Sequence, residues 1–144
     1  MKLYVASSWR NKNYPDMVRL LKSAGHDVYD FRDHGFNWTD VPGHEDWNLN
    51  SVLDHHKFLY SLEGKRGFER DLGAMKWADA FVMVMPCGRS AHLEAGWALG
   101  QGKPTAVFHT EFNVEAELMY RMANLITHDF TELAQWLQSL ETDV

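Results

Sequence analysis

Apolar and polar positions follow two different rhythms along this chain. Lys2–Ala6 is a short apolar run without a helical period, and it ends in the polar stretch Ser7-Ser8-Trp9-Arg10-Asn11; this pattern predicts a buried strand followed by a loop. Asn13 and Pro15 then open a helix whose apolar positions Met17, Val18, Leu20, Leu21 and Ala24 share one broad face, and Gly25 stops it. Residues 26–31 read as a second strand. Strand, helix and strand joined by short connections imply parallel pairing through a right-handed crossover.

The pattern weakens over residues 32–67, where glycine and proline breaks interrupt scattered Trp, His and Asp residues. This stretch is expected to form an insertion or lid, with a possible helix over 50–62. Helical spacing returns over 67–77 through Phe68, Leu72 and Met75. The continuous apolar run Ala80–Met85 then suits a central parallel strand. A helix over 92–101 ends at Gly102. Further elements follow: a strand over 104–108, a short helix over 115–122, an edge strand at Leu125–Thr127, and a closing helix over 131–140 with Leu133, Trp136, Leu137 and Leu140 facing in. The alternation predicts one α/β domain over 1–144: a three-layer, doubly wound, mostly parallel five-stranded sheet of flavodoxin-like order. Ligands of such sheets bind at the carboxyl ends of the strands where the order reverses, which singles out the loops 7–13 and 86–92.

Composition narrows the choice of partner. At 144 residues the chain can bury roughly 68–70% of its unfolded surface in one core. A net charge of −6 argues against long nucleic acid, which needs a Lys/Arg excess on at least one face. A single phosphate stays possible, because one helix N-terminus and one arginine suffice to hold it. No apolar run approaches the roughly 20 residues of a membrane span, so no membrane partner is expected. The one cysteine, Cys87, and an amino end without a signal-like segment fit a reducing cytoplasm.

The candidate chemistry concentrates after the central strand. Pro86-Cys87-Gly88-Arg89-Ser90 leads into a helix that carries Glu94 in about its first turn, where the helix dipole favours a carboxylate anion suited to nucleophilic attack. A capping box is the structural alternative, but it would require Ala91 as the cap. Asp71, three residues after Phe68 and four before Met75, lies at the margin of an apolar helix face; it suits either a partly desolvated proton donor or a solvated, ion-paired acid. Tyr4 reads as strand filling. Arg10 can serve an anion or simply point to solvent. Cys87 is a rival nucleophile with His92 five residues on, yet no third group orients the pair. His44, His55 and His56 do not suggest a metal site, and no cofactor is expected.

Three segments together resemble the nucleoside 2-deoxyribosyltransferase family: Leu3-Tyr4-Val5-Ala6-Ser7-Ser8-Trp9, Arg70-Asp71-Leu72, and Leu93-Glu94-Ala95-Gly96-Trp97-Ala98-Leu99-Gly100-Gln101-Gly102-Lys103. The resemblance implies Glu94 as nucleophile, Asp71 as the acid that handles the proton of the base, and Tyr4 as the residue that orients the nucleophile. The implied reaction is cleavage or transfer of the N-glycosidic bond of a nucleoside or nucleotide, in the manner of a retaining glycosidase.

Two departures bear on the substrate. Gly88 stands six residues before Glu94, where transferases of the family carry an aspartate, with Arg89 and Ser90 beside it. Ser8-Trp9-Arg10 resembles the Ser-x-Arg loop of the family's 2'-deoxynucleoside 5'-monophosphate N-hydrolase branch, which binds the 5'-phosphate. Both tilt the substrate toward a nucleotide. The family's sites often draw on a neighbouring subunit, so a homo-oligomer is expected, with Asn124 as the contributed residue. Trp9, Trp38 and Trp47 are candidates to stack on a base or to plug apolar surface. Two other readings use the same loops: a noncatalytic nucleotide-binding or sensor module, and a NAD-type glycohydrolase.

Overall fold

The strand pattern closes into a single sheet. The computed structural model describes residues 1–34 and 36–143. Strands β1 (Lys2–Ala6), β2 (Asp27–Tyr29), β3 (Ala80–Met85), β4 (Thr105–His109) and β5 (Leu125–Thr127) pair in parallel in the order β2-β1-β3-β4-β5. Helices cover both faces, which is the expected doubly wound flavodoxin-like arrangement. The chain divides into two compact units, Met1–Tyr29 with Trp77–Val144, and Asp30–Lys76.

The first unit holds the sheet. Its core is the set of residues read as continuous apolar runs: Leu3, Val5, Phe81, Val82, Val84 and Ala106 are all buried. Helix α1 (Tyr14–Ser23) buries Tyr14, Met17, Val18 and Leu21, an i, i+3, i+4, i+7 stripe. Leu20 and Ala24, expected on that face, are exposed, because the stripe turns about Tyr14 instead. Gly25, at φ 92°, ends α1: the amide of His26 donates to Leu21 O and that of Gly25 to Lys22 O, a left-handed cap that only glycine adopts without strain.

The second unit is helical, with α2 (Phe31–His34), two single 3-10 turns (Trp38–Asp40 and His44–Asp46), α3 (Val52–Leu59) and α4 (Leu62–Trp77), whose last residue falls in the first unit. An aromatic cluster organises it. Phe58 is buried, with the rings of Phe36 and Trp47 at 5.4 and 6.1 Å. Gly67 lies beneath Phe36 so closely that a Cβ there would meet the Phe36 Cβ at 2.7 Å and its ring at 2.8 Å. The side chain of Trp38 lies outside the described residues.

The remaining helices belong to the first unit. Helix α5 (Arg89–Gly100) packs across β1, β3 and β4 through Ala91, Ala95 and Ala98, one turn apart and all small enough to bring helix and sheet close. Gly96 is exposed on the same helix. Over 115–122, where a short helix is expected, the chain makes a 3-10 segment at Leu118–Met122, with Glu117 accepting from the amide of Met119. Helix α6 (Phe130–Thr142) buries Leu133 and Leu137, while Trp136 and Leu140 are half-buried. Among the described residues no helix is long and apolar enough to cross a membrane.

Candidate active site

The strand order reverses between β1 and β3, so the loops that leave these neighbours stand side by side at the carboxyl edge of the sheet. One buried side chain ties them together. Asn11, 2% exposed, donates from Nδ2 to Ser7 Oγ at 3.2 Å, Val84 O at 3.3 Å and Pro86 O at 3.2 Å, while its Oδ1 accepts from the amide of Asn13 at 2.9 Å. Ser7 Oγ adds a 2.8 Å bond to Val84 O. The loop after β1 is thus stapled to the end of β3 by polar bonds out of water. Beyond the staple, Ser8 is half-buried and its hydroxyl accepts from the amide of Arg10, whereas Trp9 and Arg10 are exposed.

On the other loop, α5 begins at Arg89, with Gly88 as a cap that has no side chain to offer. The helix therefore starts three residues earlier than the pattern predicts. Glu94 becomes its sixth residue, half-buried, and not a first-turn residue. This start excludes the capping box, whose glutamate belongs at the third position. It also removes most of the dipole argument, since that field fades beyond the first turn. Gly88, Arg89 and Ser90 are exposed at the helix start, beside a shallow cleft of about 600 Å³ that Cys87, His92 and Leu93 also line. Among the described residues neither Arg10 nor Arg89 enters an ion pair.

Cys87 does not suit a nucleophile. Burial, reinforced by the charge of Glu94, pushes its thiol up to about 12. Nor is His92 placed to take its proton. His92 Nδ1 lies 2.7 Å from Gly88 O, which can only accept, so this nitrogen carries the hydrogen; the sulfur sits farther off at 3.8 Å. The same coupling puts the carboxylate of Glu94 within electrostatic reach of the loop after β3.

Tyr4 is 1% exposed in β1, its ring stacked between Tyr29 at 5.4 Å and Phe81 at 4.9 Å. Phe81 in turn meets Trp97 of α5, one helical turn after Glu94, so Tyr4 belongs to the sheet face that α5 covers. Asn124 sits at the opposite edge, where its Oδ1 accepts from the amide of Thr105 and its own amide donates to Thr105 O at the start of β4. The loops therefore bring Ser8, Trp9 and Arg10 to the same edge as Gly88, Arg89 and Ser90, with Tyr4 on β1, the strand that leads into the first of these loops; Asn124 of the same chain is not among them.

Asp71 belongs to the second unit, on α4. The expectation placed it beside an apolar face containing Phe68, but Phe68 is 65% exposed. The inward stripe runs through Gly67 and Met75, both buried, with the half-buried Asp71 four residues from each. Asp71 thus stands on the inward stripe itself. Its neighbour Arg70 donates to His34 O at 2.7 Å. Trp47, a candidate for base stacking, packs edge-on against Phe58 inside this unit.

The roles of Asn11, Ser7 and the pair His92 and Tyr120 escape the sequence reading. Ser7 was read only as part of the first family-like segment and His92 only as a partner of Cys87; nothing in the sequence marks the Asn11 bonds or the His92–Tyr120 contact beyond the spacing of His92 four residues after Gly88, which lets a helical side chain reach back to a carbonyl. Among the described residues no group of three His, Cys, Asp or Glu is placed to hold a metal ion.

No family model matches the sequence, and a search of curated proteins finds no match. Solved structures do match. A 2-deoxyribosyltransferase from the psychrotolerant bacterium Bacillus psychrosaccharolyticus is 19% identical with a TM-score of 0.65, over 93% of this chain and 90% of that one. The CMP N-glycosidase BcmB of Clostridium botulinum is 20% identical with a TM-score of 0.53, over 96% of this chain and 99% of that one. The resemblance read from the three segments is borne out by these neighbours. At such identities the likeness establishes the fold.

Proposed function

We propose that this chain cleaves or transfers the N-glycosidic bond of a nucleoside or its 5'-monophosphate, with Glu94 as nucleophile. The observation that carries the reading is the place of Glu94: half-buried on the helix that follows the central strand, beside the point where the strand order reverses, its charge bearing on the loop after β3. A carboxylate so placed can attack the anomeric carbon of a sugar. Both structural neighbours are, by name, enzymes of this bond type.

In the reaction, a Glu94 carboxylate oxygen forms an ester to the anomeric carbon as the bond to the base breaks. The base leaves with the electron pair and takes a proton, the role that the resemblance gives Asp71. Water or a second base then attacks the same carbon and frees Glu94, which gives hydrolysis or transfer. Tyr4 is the residue that orients the nucleophile. Arg10 and Arg89, two cations with no acid partner among the described residues in a chain of net charge −6, favour a phosphorylated substrate, with Ser8 and Ser90 as hydroxyl donors and Trp9 as a stacking surface. A neighbouring copy of the chain is the expected source of an Asn124 contribution.

Incubation with a panel of nucleosides and 5'-monophosphates, with and without an acceptor base, tests the reading through free base and exchanged product. Glu94→Gln is expected to lower kcat by roughly 10³-fold or more without unfolding the protein. Tight binding with no turnover by the folded wild type would make the chain a binding module instead. Full activity in Glu94→Gln would remove that residue from the mechanism.

A further inference from the structure

Tyr120, in the 3-10 segment Leu118–Met122, reaches across to the first turns of α5. Its hydroxyl lies 2.8 Å from His92 Nε2, and the two rings stack with centroids 5.7 Å apart at 23°. His92 Nδ1 bonds Gly88 O at 2.7 Å. A carbonyl only accepts, so Nδ1 holds the hydrogen and Nε2 the lone pair, and the tyrosine hydroxyl must be the donor. A polarised chain results, running from the Tyr120 hydroxyl through the imidazole to the Gly88 carbonyl. Burial first, then the nearby Cys87, Glu117 and Glu115, raise the phenol pKa and keep that donor protonated. Tyr120 also lies 3.7 Å from Met85 Sδ, and its ring meets His109 at 6.3 Å, so the ends of β3 and β4 share the anchor.

The need for such a chain lies at Gly88. It caps α5 without a side chain, and nothing lies within 4 Å of where its Cβ would be. A glycine in that position has a soft backbone. The position of its carbonyl then depends on His92, and with it the course of Arg89 and Ser90. We propose that His92 and Tyr120 form a positioning pair that fixes the Gly88–Arg89–Ser90 turn for substrate binding. The inference rests on the function proposed above for that turn. Glu94 itself is held by the packing of Ala91, Ala95 and Ala98, so the pair governs substrate binding more than the chemical step.

Two measurements test the pair. Nitrogen-15 NMR of the imidazoles does not depend on any activity: the wild type should show His92 as the Nδ1–H tautomer, and Tyr120→Phe, which keeps the ring and its stacking, should shift the Nε2 resonance. An Nε2–H tautomer in the wild type, or no shift in the variant, overturns the proposal even if no substrate is found. Kinetics on the substrate that the wild type turns over is the second measurement. Tyr120→Phe and His92→Phe should each raise KM about tenfold with kcat within about twofold. The double variant should add little to either, since the two residues act as one unit. His92→Gln, which keeps a donor toward Gly88 O, should recover part of the loss. A fall in kcat at constant KM, or full additivity, overturns the pair. Absence of turnover in the wild type refutes the functional reading and leaves the NMR result to decide the positioning.

Discussion

Asn11 shows how much a single side chain can decide at the carboxyl edge. Its amide carries two hydrogens and serves three acceptors on two loops, all largely out of water. Asn11→Leu keeps the volume and removes every one of these bonds, so that Pro86 O loses its side-chain donor and Val84 O keeps only Ser7 Oγ. A loss of about 2 kcal/mol or more in stability is expected by urea denaturation. Cys87 supports a prediction with a sign. A thiol pushed from its ordinary 9 up to about 12 by burial stabilises the fold fully below pH 9 and loses that contribution as pH rises toward 12. Melting temperatures should thus fall on alkalinisation above pH 9, less steeply in Cys87→Ala, and iodoacetamide should leave the native thiol largely unmodified at pH 7.5. These residues illustrate what the sequence conceals. The loop of Arg10 and the helix that carries Arg89 and Glu94 were legible because motif and strand order mark them; Asn11 was not, because a polar residue in a polar loop looks the same whether it points to water or into a staple.

For the elements, legibility followed the strength of the period. β1, β3 and β5 were read to the residue, since short apolar runs between polar loops have few other interpretations. The start of α4, residues 62–66, was missed because its apolar residue Leu62 faces outward and Gly64 breaks the pattern. The start of α5 was misplaced because a bare glycine cap announces nothing. Gly67 and Gly96 now make a matched pair. Both are helical, where alanine ordinarily gains up to about 1 kcal/mol. Gly96→Ala points its methyl into open space over a cleft of about 330 Å³ and should stabilise by about 0.5–1 kcal/mol. Gly67→Ala drives the methyl into the Phe36 ring and should destabilise by about 1–3 kcal/mol despite the same propensity gain. Thermal melts of the two variants check the opposite signs.

Across the whole molecule, the alternation of strands and helices was enough to read the sheet order, because right-handed crossovers leave few ways to wind five parallel strands. The stretch 32–67 resisted the same logic: its stability comes from the meeting of Phe36, Trp47 and Phe58, residues that no period connects. The register of the sheet also bears on how the chain assembles. β3, β4 and β5 pair with strands near them in sequence, whereas β1 must join Leu3 to Ala80 across the whole of the Asp30–Lys76 unit. Closing so long a loop costs entropy before any contact repays it. The late half of the chain is therefore the expected nucleus, and the seam between β1 and β3 is expected to close last. In stopped-flow experiments Val107→Ala should mainly slow folding and Val5→Ala mainly speed unfolding. Because that seam is also where the two candidate loops meet, a chain still in the act of folding is expected to lack the candidate site until its final step.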